Sequence, residues 1–551
     1  MSFGDTGEIL QQYALIPPHA YALVMIDPET KQTTYKVMET PPTTKENEVY
    51  QHLRREVIED LDTTMESFYD EVKKRFQVRD LERQKRKTAA ERAPPGTAVV
   101  AEEELQGQKD TLMRKEQEEI ARAYLREKLE KIIKRDKLKV SKGTLDKIFY
   151  YISRDLVGFG IIEPFLQDPA IEDISCDGVN IPIYIWHREY ESIRTNVRFV
   201  DETDLNHFAI KVAQRAGRHI SVANPLLDAS LPDGSRINVT FSREITMRGS
   251  TFTIRKFKED PLTIVDLITW GTINEEIAAF FWFVLEHNKS LLIAGGTASG
   301  KTTLLNSLAM FIRPGNKIVS IEDTAELQIP HDNWIQSVAR PGFGGMNADG
   351  TRRGEVSMFD LLRAALRQRP DFLFVGEVRG EEAYSLFQAM ATGHAGMGTI
   401  HGDNAQGVIR RLETEPMNIA RTMLQSLDMI CVQRAVRRKG GKKLRRTIEV
   451  VEIVEVDPVT DDLVTNRVFS WNATDDTFFN FGRSYILDKI SDEVGMSDVE
   501  IQEELKKRRE VLNFMVRTKK RAYREVAQTV FEYFNDPDGT HKRSMPDVSI
   551  Y

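Results

Sequence analysis

The sequence predicts a mixed α/β chain. An α+β domain is followed by an α/β domain on a parallel sheet, with helical extensions at both ends. Three observations carry this. Beyond residue 290, short apolar runs alternate with helix-forming runs. Between residues 142 and 257, strand-like runs are broken by turn residues and interrupted by a helical stretch. Outside these regions the helical patterns are dominated by charge.

The elements follow in order. Tyr21–Met25 and Thr33–Val37 are β-rich runs around a polar turn, which predicts a hairpin. Val49–Phe76 has the spacing of a charged amphipathic helix. Arg83–Glu104, with a basic run, Pro94-Pro95-Gly96 and an acidic run, reads as a linker. Leu112–Lys139 is a second charged helix. Strands are expected within Ile171–Tyr190, at Arg236–Phe241 after the turn Leu231–Ser235, and at Thr251–Phe257; Asp204–Arg215 is helical. A linker is expected near Asp260-Pro261. Then come Ser290–Ala294 (strand), Lys301–Phe311 (helix), Lys317–Ile321 (strand), Met358–Arg367 (helix), Phe372–Val375 (strand) and Glu381–Thr392 (helix). That order implies a parallel sheet covered on both faces. Ser497–Phe534 is a charged helical pattern. The expected segments are therefore 1–110, 111–260, 261–496 and 497–551.

Composition narrows the function. Of 551 residues, 41% are apolar and 29% charged, as in a soluble globular chain of two or three domains. The net charge of −8 argues against a protein built to coat nucleic acid. The two cysteines, Cys176 and Cys431, form neither a disulfide framework nor a zinc spacing, consistent with a reducing cytosol. The apolar run Ile277–Leu285 is too short for a membrane helix, and the N-terminus lacks the basic start of a secretory signal.

Gly295-Gly296-Thr297-Ala298-Ser299-Gly300-Lys301-Thr302 matches G-x-x-x-x-G-K-[ST]. It lies between an apolar strand and a helix, the context this phosphate cradle requires. Its glycines let backbone N–H groups turn toward phosphate oxygens, and the helix start adds positive potential. Lys301 is expected to reach the β- and γ-phosphates of ATP and Thr302 to hold Mg²⁺, with Thr303 completing the cradle. Hydrolysis also needs carboxylates. Phe372–Val375 runs into Gly376-Glu377, which puts Glu377 at a strand's carboxyl end, where ligands gather in such sheets. Asp371 sits at the other end. Glu377 is expected to act on Mg²⁺ through water. Lys317–Ile321 ends in Glu322-Asp323; Glu322 is the candidate to activate water, with Glu326 in reserve. His394 and His401, seven apart in a Gly-rich stretch without metal spacing, are candidates to sense the γ-phosphate.

These motifs resemble the secretion ATPase superfamily of type II and type IV secretion, type IV pili and archaeal filaments. The Walker A run Gly295–Thr302, the Asp box Ser320–Glu326, the Walker B run Gly376-Glu-Val-Arg379 and the His box from Thr392-Gly-His394 to Thr399-Ile-His401 appear in the family's order. Ile171–Gly178, Tyr184–Arg188, Leu231–Arg236 and Phe252–Phe257 resemble its archaeal branch, and the resemblance spans roughly Lys142 to Val456. It implies a RecA-like P-loop domain preceded by an α+β domain, assembled as a homohexamer. Nucleotide-driven closure would push on a polytopic membrane platform protein, with accessory cytoplasmic regulators. It implies a cytoplasmic protein held at the inner face of the membrane through partners. It also implies that Arg236 and Arg255, with Arg218 next, reach the nucleotide. Within the branch the archaellum motor is the first reading, with adhesive-pilus assembly or type II-like secretion as alternatives.

A RecA-like nucleic-acid motor would share the P-loop and the sheet. Arg434–Arg446 (RAVRRKGGKKLRR) is the strong basic cluster and reads as a hairpin around Gly440-Gly441. It lacks the interleaved aromatics that stack bases, so no nucleic acid is expected. A non-catalytic scaffold would not require both Glu322 and Glu377.

Overall fold

The computed structural model describes residues 7–60, 106–257, 261–340, 342, 353–437 and 443–545. It comprises two compact units, Met1–Phe257 and Lys258–Tyr551.

The first unit contains β1 (Glu8–Ile16), β2 (Ala20–Ile26), β3 (Thr33–Glu39), β4 (Ile171–Cys176), β5 (Tyr184–His187), β6 (Glu191–Thr195), β7 (Leu226–Ser230), β8 (Arg236–Thr240) and β9 (Thr251–Arg255). They form one sheet in the order β1-β2-β3-β6-β5-β4-β9-β8-β7. Every neighbouring pair is antiparallel except β3 and β6. The helix Glu202–Arg215 lays Leu205, Phe208, Val212 and Ala213 on the core of this sheet, and Asp201 caps its start.

The expected hairpin is present as β2 and β3, but the N-terminal segment is no separate extension. Thr34 and Tyr35 pair with Arg194 and Thr195 of β6, so the hairpin continues the sheet. Buried Asp168 accepts hydrogen bonds from the hydroxyls of Tyr13 (2.7 Å) and Tyr35 (2.6 Å). A buried carboxylate must be satisfied, and these donors come from the first three strands. The helix Thr44–Asp60 buries Leu53 and Val57 with Leu125, Leu129, Ile148 and Ile152 of two later helices. β1 escapes sequence reading because Gln11-Gln12 breaks its apolar alternation. The Arg83–Glu104 linker, and the Val49–Phe76 helix beyond Asp60, lie outside the described residues.

The second unit contains β10 (Leu291–Gly295), β11 (Ile318–Glu322), β12 (Trp334–Val338), β13 (Phe372–Val378), β14 (Ala395–Ile400), β15 (Met429–Arg437), β16 (Lys443–Val456), β17 (Leu463–Asn472) and β18 (Thr477–Asn480). Their order is β12-β11-β13-β14-β10-β15-β16-β17-β18. Pairing is parallel from β12 to β15 and antiparallel from β15 to β18. Leu291 and Ile293 enter one core, Leu292 and Ala294 the other, as a strand covered on both faces demands.

The first of these cores corrects the expected C-terminal tail. Helices Asp498–Arg517 and Tyr523–Asn535 bury Ile501, Val511, Leu512, Met515, Val526, Val530 and Tyr533 beside the helix Glu275–Glu286. Trp282 stacks on Phe311 at 5.2 Å between ring centroids and meets Tyr533 at 4.9 Å. Buried Arg508 pairs with Glu286 and Glu504 and lies over the Trp282 ring. The run Ile277–Leu285 is thus a core helix. Its cover reads as charged because one helical stripe alone is apolar. Among the described residues, no helix is long and apolar enough to cross a membrane.

Candidate nucleotide site

The parallel register gathers the site. Ala294 pairs with Ile400, Ile321 with Val375, and Val378 with Ile400. Gly295 and Glu322, which end β10 and β11, Glu377, the next-to-last residue of β13, and His401, just past β14, therefore share the carboxyl edge of one sheet.

The loop after β10 is shaped by two left-handed glycines. Gly295 has φ 155°, and a Cβ there would meet the Gln433 carbonyl oxygen of neighbouring β15 at 2.3 Å. Gly300 has φ 93° and opens the helix Lys301–Ala309. Ala298 is also left-handed, at φ 57°. Lys301 Nζ donates to the carbonyls of Gly295 and Gly296, each at 3.0 Å, and Ser299 Oγ donates to Gly296 O at 2.8 Å. Burial lowers the Lys301 pKa, while the negative charge of Glu377 and Glu326 partly restores it. Thr297 lies within this loop, and Thr302 and Thr303 lie in the first turn of the helix Lys301–Ala309.

The carboxylates divide in a way the sequence did not show. Glu322 is buried: Oε2 accepts from the backbone N–H groups of Glu326 (2.7 Å) and Leu327 (2.8 Å), and Oε1 from Gln336 Nε2 (3.0 Å). Burial raises its pKa, and these donors oppose the shift. Its oxygens are occupied in shaping the loop that carries Glu326. Glu326 is exposed and acts electrostatically on Lys301. On β13, Gly376 is close-fitting, since a Cβ would lie 3.2 Å from Glu322 Cγ.

Glu377 Oε2 accepts from Arg379, which also lies 3.4 Å from Asp323. Burial alone would raise the Glu377 carboxyl, but Arg379, His401 and Lys301 together hold it below its ordinary value. His401 Nε2 is 3.1 Å from Glu377 Oε1 without an aligned hydrogen bond, leaving that buried oxygen without a hydrogen-bond donor among the described residues. An orphaned carboxylate oxygen across from the cradle fits a place for metal-bound water. Burial and Lys301 lower the His401 pKa, favouring its neutral form.

His394 stands elsewhere. It precedes β14, with Nδ1 3.3 Å from Ala389 O at the end of a helix. That is the amino edge of the sheet, shared with Asp371, whose carboxylate accepts from Lys317 N at 2.6 Å. A six-residue strand separates His394 from His401, roughly 20 Å. His401 alone of the pair lies at the carboxyl edge of the sheet.

In the first unit Arg236 and Arg255 are direct cross-strand partners, and Arg255 is also opposite Asp173. Arg236 pairs with Asp228 at 2.8 Å and Arg255 with Asp173 at 3.3 Å. The two guanidiniums thus form an adjacent cationic pair flanked by carboxylates on β4 and β7.

Sequence reasoning missed Arg379 and Arg445. Arg445, on β16, donates through Nε to Ala298 O at 3.1 Å. The signal for it was the basic run, whose place beside β10 only the pairing reveals.

Residues 155–531 match the family model described as type II/IV secretion system protein. The chain is 39% identical over 407 residues to the uncharacterized protein MJ0900 of Methanocaldococcus jannaschii, covering 73% of this chain and 70% of that protein. It is 48% identical over 268 residues to MJ1287 of the same organism, covering 49% of this chain and 96% of that protein. The solved structure of the Yersinia pseudotuberculosis ATPase DotB aligns at 17% identity and a TM-score of 0.39, covering 68% of this chain and 92% of that one. The extent of the family match and the similarity to MJ0900 establish that this chain belongs to the type II/IV secretion system protein family, a family of secretion ATPases.

Proposed function

We propose that this chain is the ATP-hydrolysing ring motor of an archaeal type IV pilus-like filament, with the archaellum as the first reading. The observation that carries the enzymatic part is the convergence of the P-loop, Glu326, Glu377 and His401 on one sheet edge. The backbone amides from Gly296 to Thr302 bind the β- and γ-phosphates, and Lys301 exchanges loop carbonyls for phosphate oxygens. Thr302 and Glu377 would hold Mg²⁺, which neutralises phosphate charge. Glu326 orients the attacking water and accepts its proton, while Glu322 acts through the loop it anchors. His401, neutral and beside Glu377, reports whether the γ-phosphate is present.

Arg236 and Arg255 supply the coupling. Exposed arginine–carboxylate pairs contribute little stability, so exchanging Asp228 and Asp173 for a γ-phosphate costs little and stabilises developing charge. A homohexamer satisfies every head-to-tail interface by closing on itself. Closure would be transmitted to a polytopic platform protein, with the motor cytoplasmic and held at the inner membrane face through that partner. Co-purification with an archaellum platform protein, and loss of swimming without loss of adhesion on deletion, would favour the archaellum over a pilus or secretion machine.

The ring is tested by dilution. Specific ATPase activity should rise with protein concentration until it saturates. Light scattering should show that a non-hydrolysable ATP analogue shifts mass toward the hexamer, because a ligand held between subunits stabilises the assembled state. Full activity from a monomer at high dilution would refute the ring.

A further inference from the structure

We propose that Arg445 is a positioning residue of the nucleotide site: it pins the P-loop from outside and sets a fixed cation against the phosphate cradle. The proposal rests on the P-loop reading above. It assigns a role to the basic run that the motor mechanism leaves unused.

The placement follows from register. Gly295, the last residue of β10, pairs with Gln433 of β15. Residues Arg434 to Arg437, and their β16 partners Lys443 to Arg446, therefore continue as a ribbon past the point where β10 turns into the P-loop. Alternation along β16 separates its two arginines. Arg446 is buried, donating to Asp476 at 2.7 and 2.9 Å and to the Trp270 carbonyl at 3.1 Å. Arg434 donates to the Asp403 carbonyl at 2.7 Å. Arg445 is exposed and turned to the loop. Its Nε holds Ala298 O at 3.1 Å, and its side-chain stem covers Gly300, where a Cβ would lie 3.2 Å from Arg445 Cδ. Among the described residues it has no carboxylate partner.

Two consequences follow. The carbonyls of this loop need donors. Lys301 supplies those for Gly295 and Gly296, and Arg445 supplies the one for left-handed Ala298. Once Lys301 moves to the phosphates, Arg445 is the cation that still holds the loop in shape. Its uncompensated charge also favours an anion in the cradle. Both effects act alike on bound nucleotide and on the transition state, so they should appear as binding rather than as turnover.

The test uses the full chain with Arg445→Ala and Arg445→Lys. It measures the Kd for a fluorescent ADP analogue, ATP turnover across ATP concentration, and thermal melting. A lost charge-assisted hydrogen bond predicts a Kd and KM raised by about tenfold in Arg445→Ala, with kcat within about twofold of wild type. Arg445→Lys should recover part of the affinity while melting like wild type, and the deficit of Arg445→Ala should shrink at high salt. Unchanged Kd in Arg445→Ala, or a fall in kcat at constant KM, would overturn the proposal. So would affinity loss in Arg445→Lys equal to that of Arg445→Ala despite an intact fold. Failure of the wild-type chain itself to bind the ADP analogue would instead refute the P-loop reading.

Discussion

Lys301→Ala is expected to lower steady-state ATP hydrolysis by on the order of 10²-fold or more in a chain that remains folded. Lys301 is 9% exposed, and among the described residues its Nζ bonds only to loop carbonyls. Burial lowers its pKa, so the protein holds this cation at some cost. Its removal should leave the chain folded, because burying an ammonium is itself unfavourable and this offsets part of the cost of the two carbonyls left behind, the buried one of Gly295 and the half-buried one of Gly296. Phosphate release and thermal melting, measured on the same preparation, check this. Undiminished hydrolysis in a folded variant would remove Lys301 from the chemistry. A large drop in melting temperature would show that it holds the fold instead.

The second large effect separates two carboxylates. Glu326→Gln should retain nucleotide binding and lose hydrolysis by about 10²-fold or more, as expected for a group that takes a proton in the transition state. Glu322→Gln should behave differently. Its carboxylate receives three donors: two backbone N–H groups and Gln336. A glutamine cannot accept them all, and a buried donor left without an acceptor costs about 1–3 kcal/mol. Glu322→Gln should therefore melt earlier and lose activity as the loop to Leu327 shifts. Fluorescent-nucleotide binding, phosphate release and melting distinguish the two. Normal hydrolysis by Glu326→Gln, beside a fully stable but inactive Glu322→Gln, would reverse the assignment.

That pair shows what the sequence could and could not convey. The P-loop and the strand–helix order after residue 290 were legible because a local pattern specifies them. Which glutamate is buried and bonded to its own loop was not, since Glu322 ends β11, Glu326 lies just beyond it, and the difference is made by hydrogen bonds from Glu326 N, Leu327 N and Gln336 to Glu322. His394 and His401 lie close in sequence, yet β14 between them sends one to each edge of the sheet. The hairpin β2–β3 was readable, but its junction with β6, far along the chain, was not. The helices from Asp498 onward looked like a tail because their charge conceals the stripe that buries Val511, Leu512 and Met515. Arg445 stood within a visible basic run, but its contact with Ala298 depends on β15 lying beside β10.

The central claim is that ATP is bound and hydrolysed at the carboxyl edge of the sheet in the second unit, with Glu326 facing the reacting phosphate. A structure of the full chain with Mg²⁺ and a non-hydrolysable ATP analogue tests it most directly. The account predicts the phosphates within the amides of Gly296 to Thr302, Lys301 Nζ moved from the Gly295 and Gly296 carbonyls to a phosphate oxygen, Glu326 turned toward the γ-phosphate, and Glu322 still bonded to its loop. A nucleotide bound away from this edge, or a γ-phosphate approached by Glu322 while Glu326 points to solvent, would contradict it.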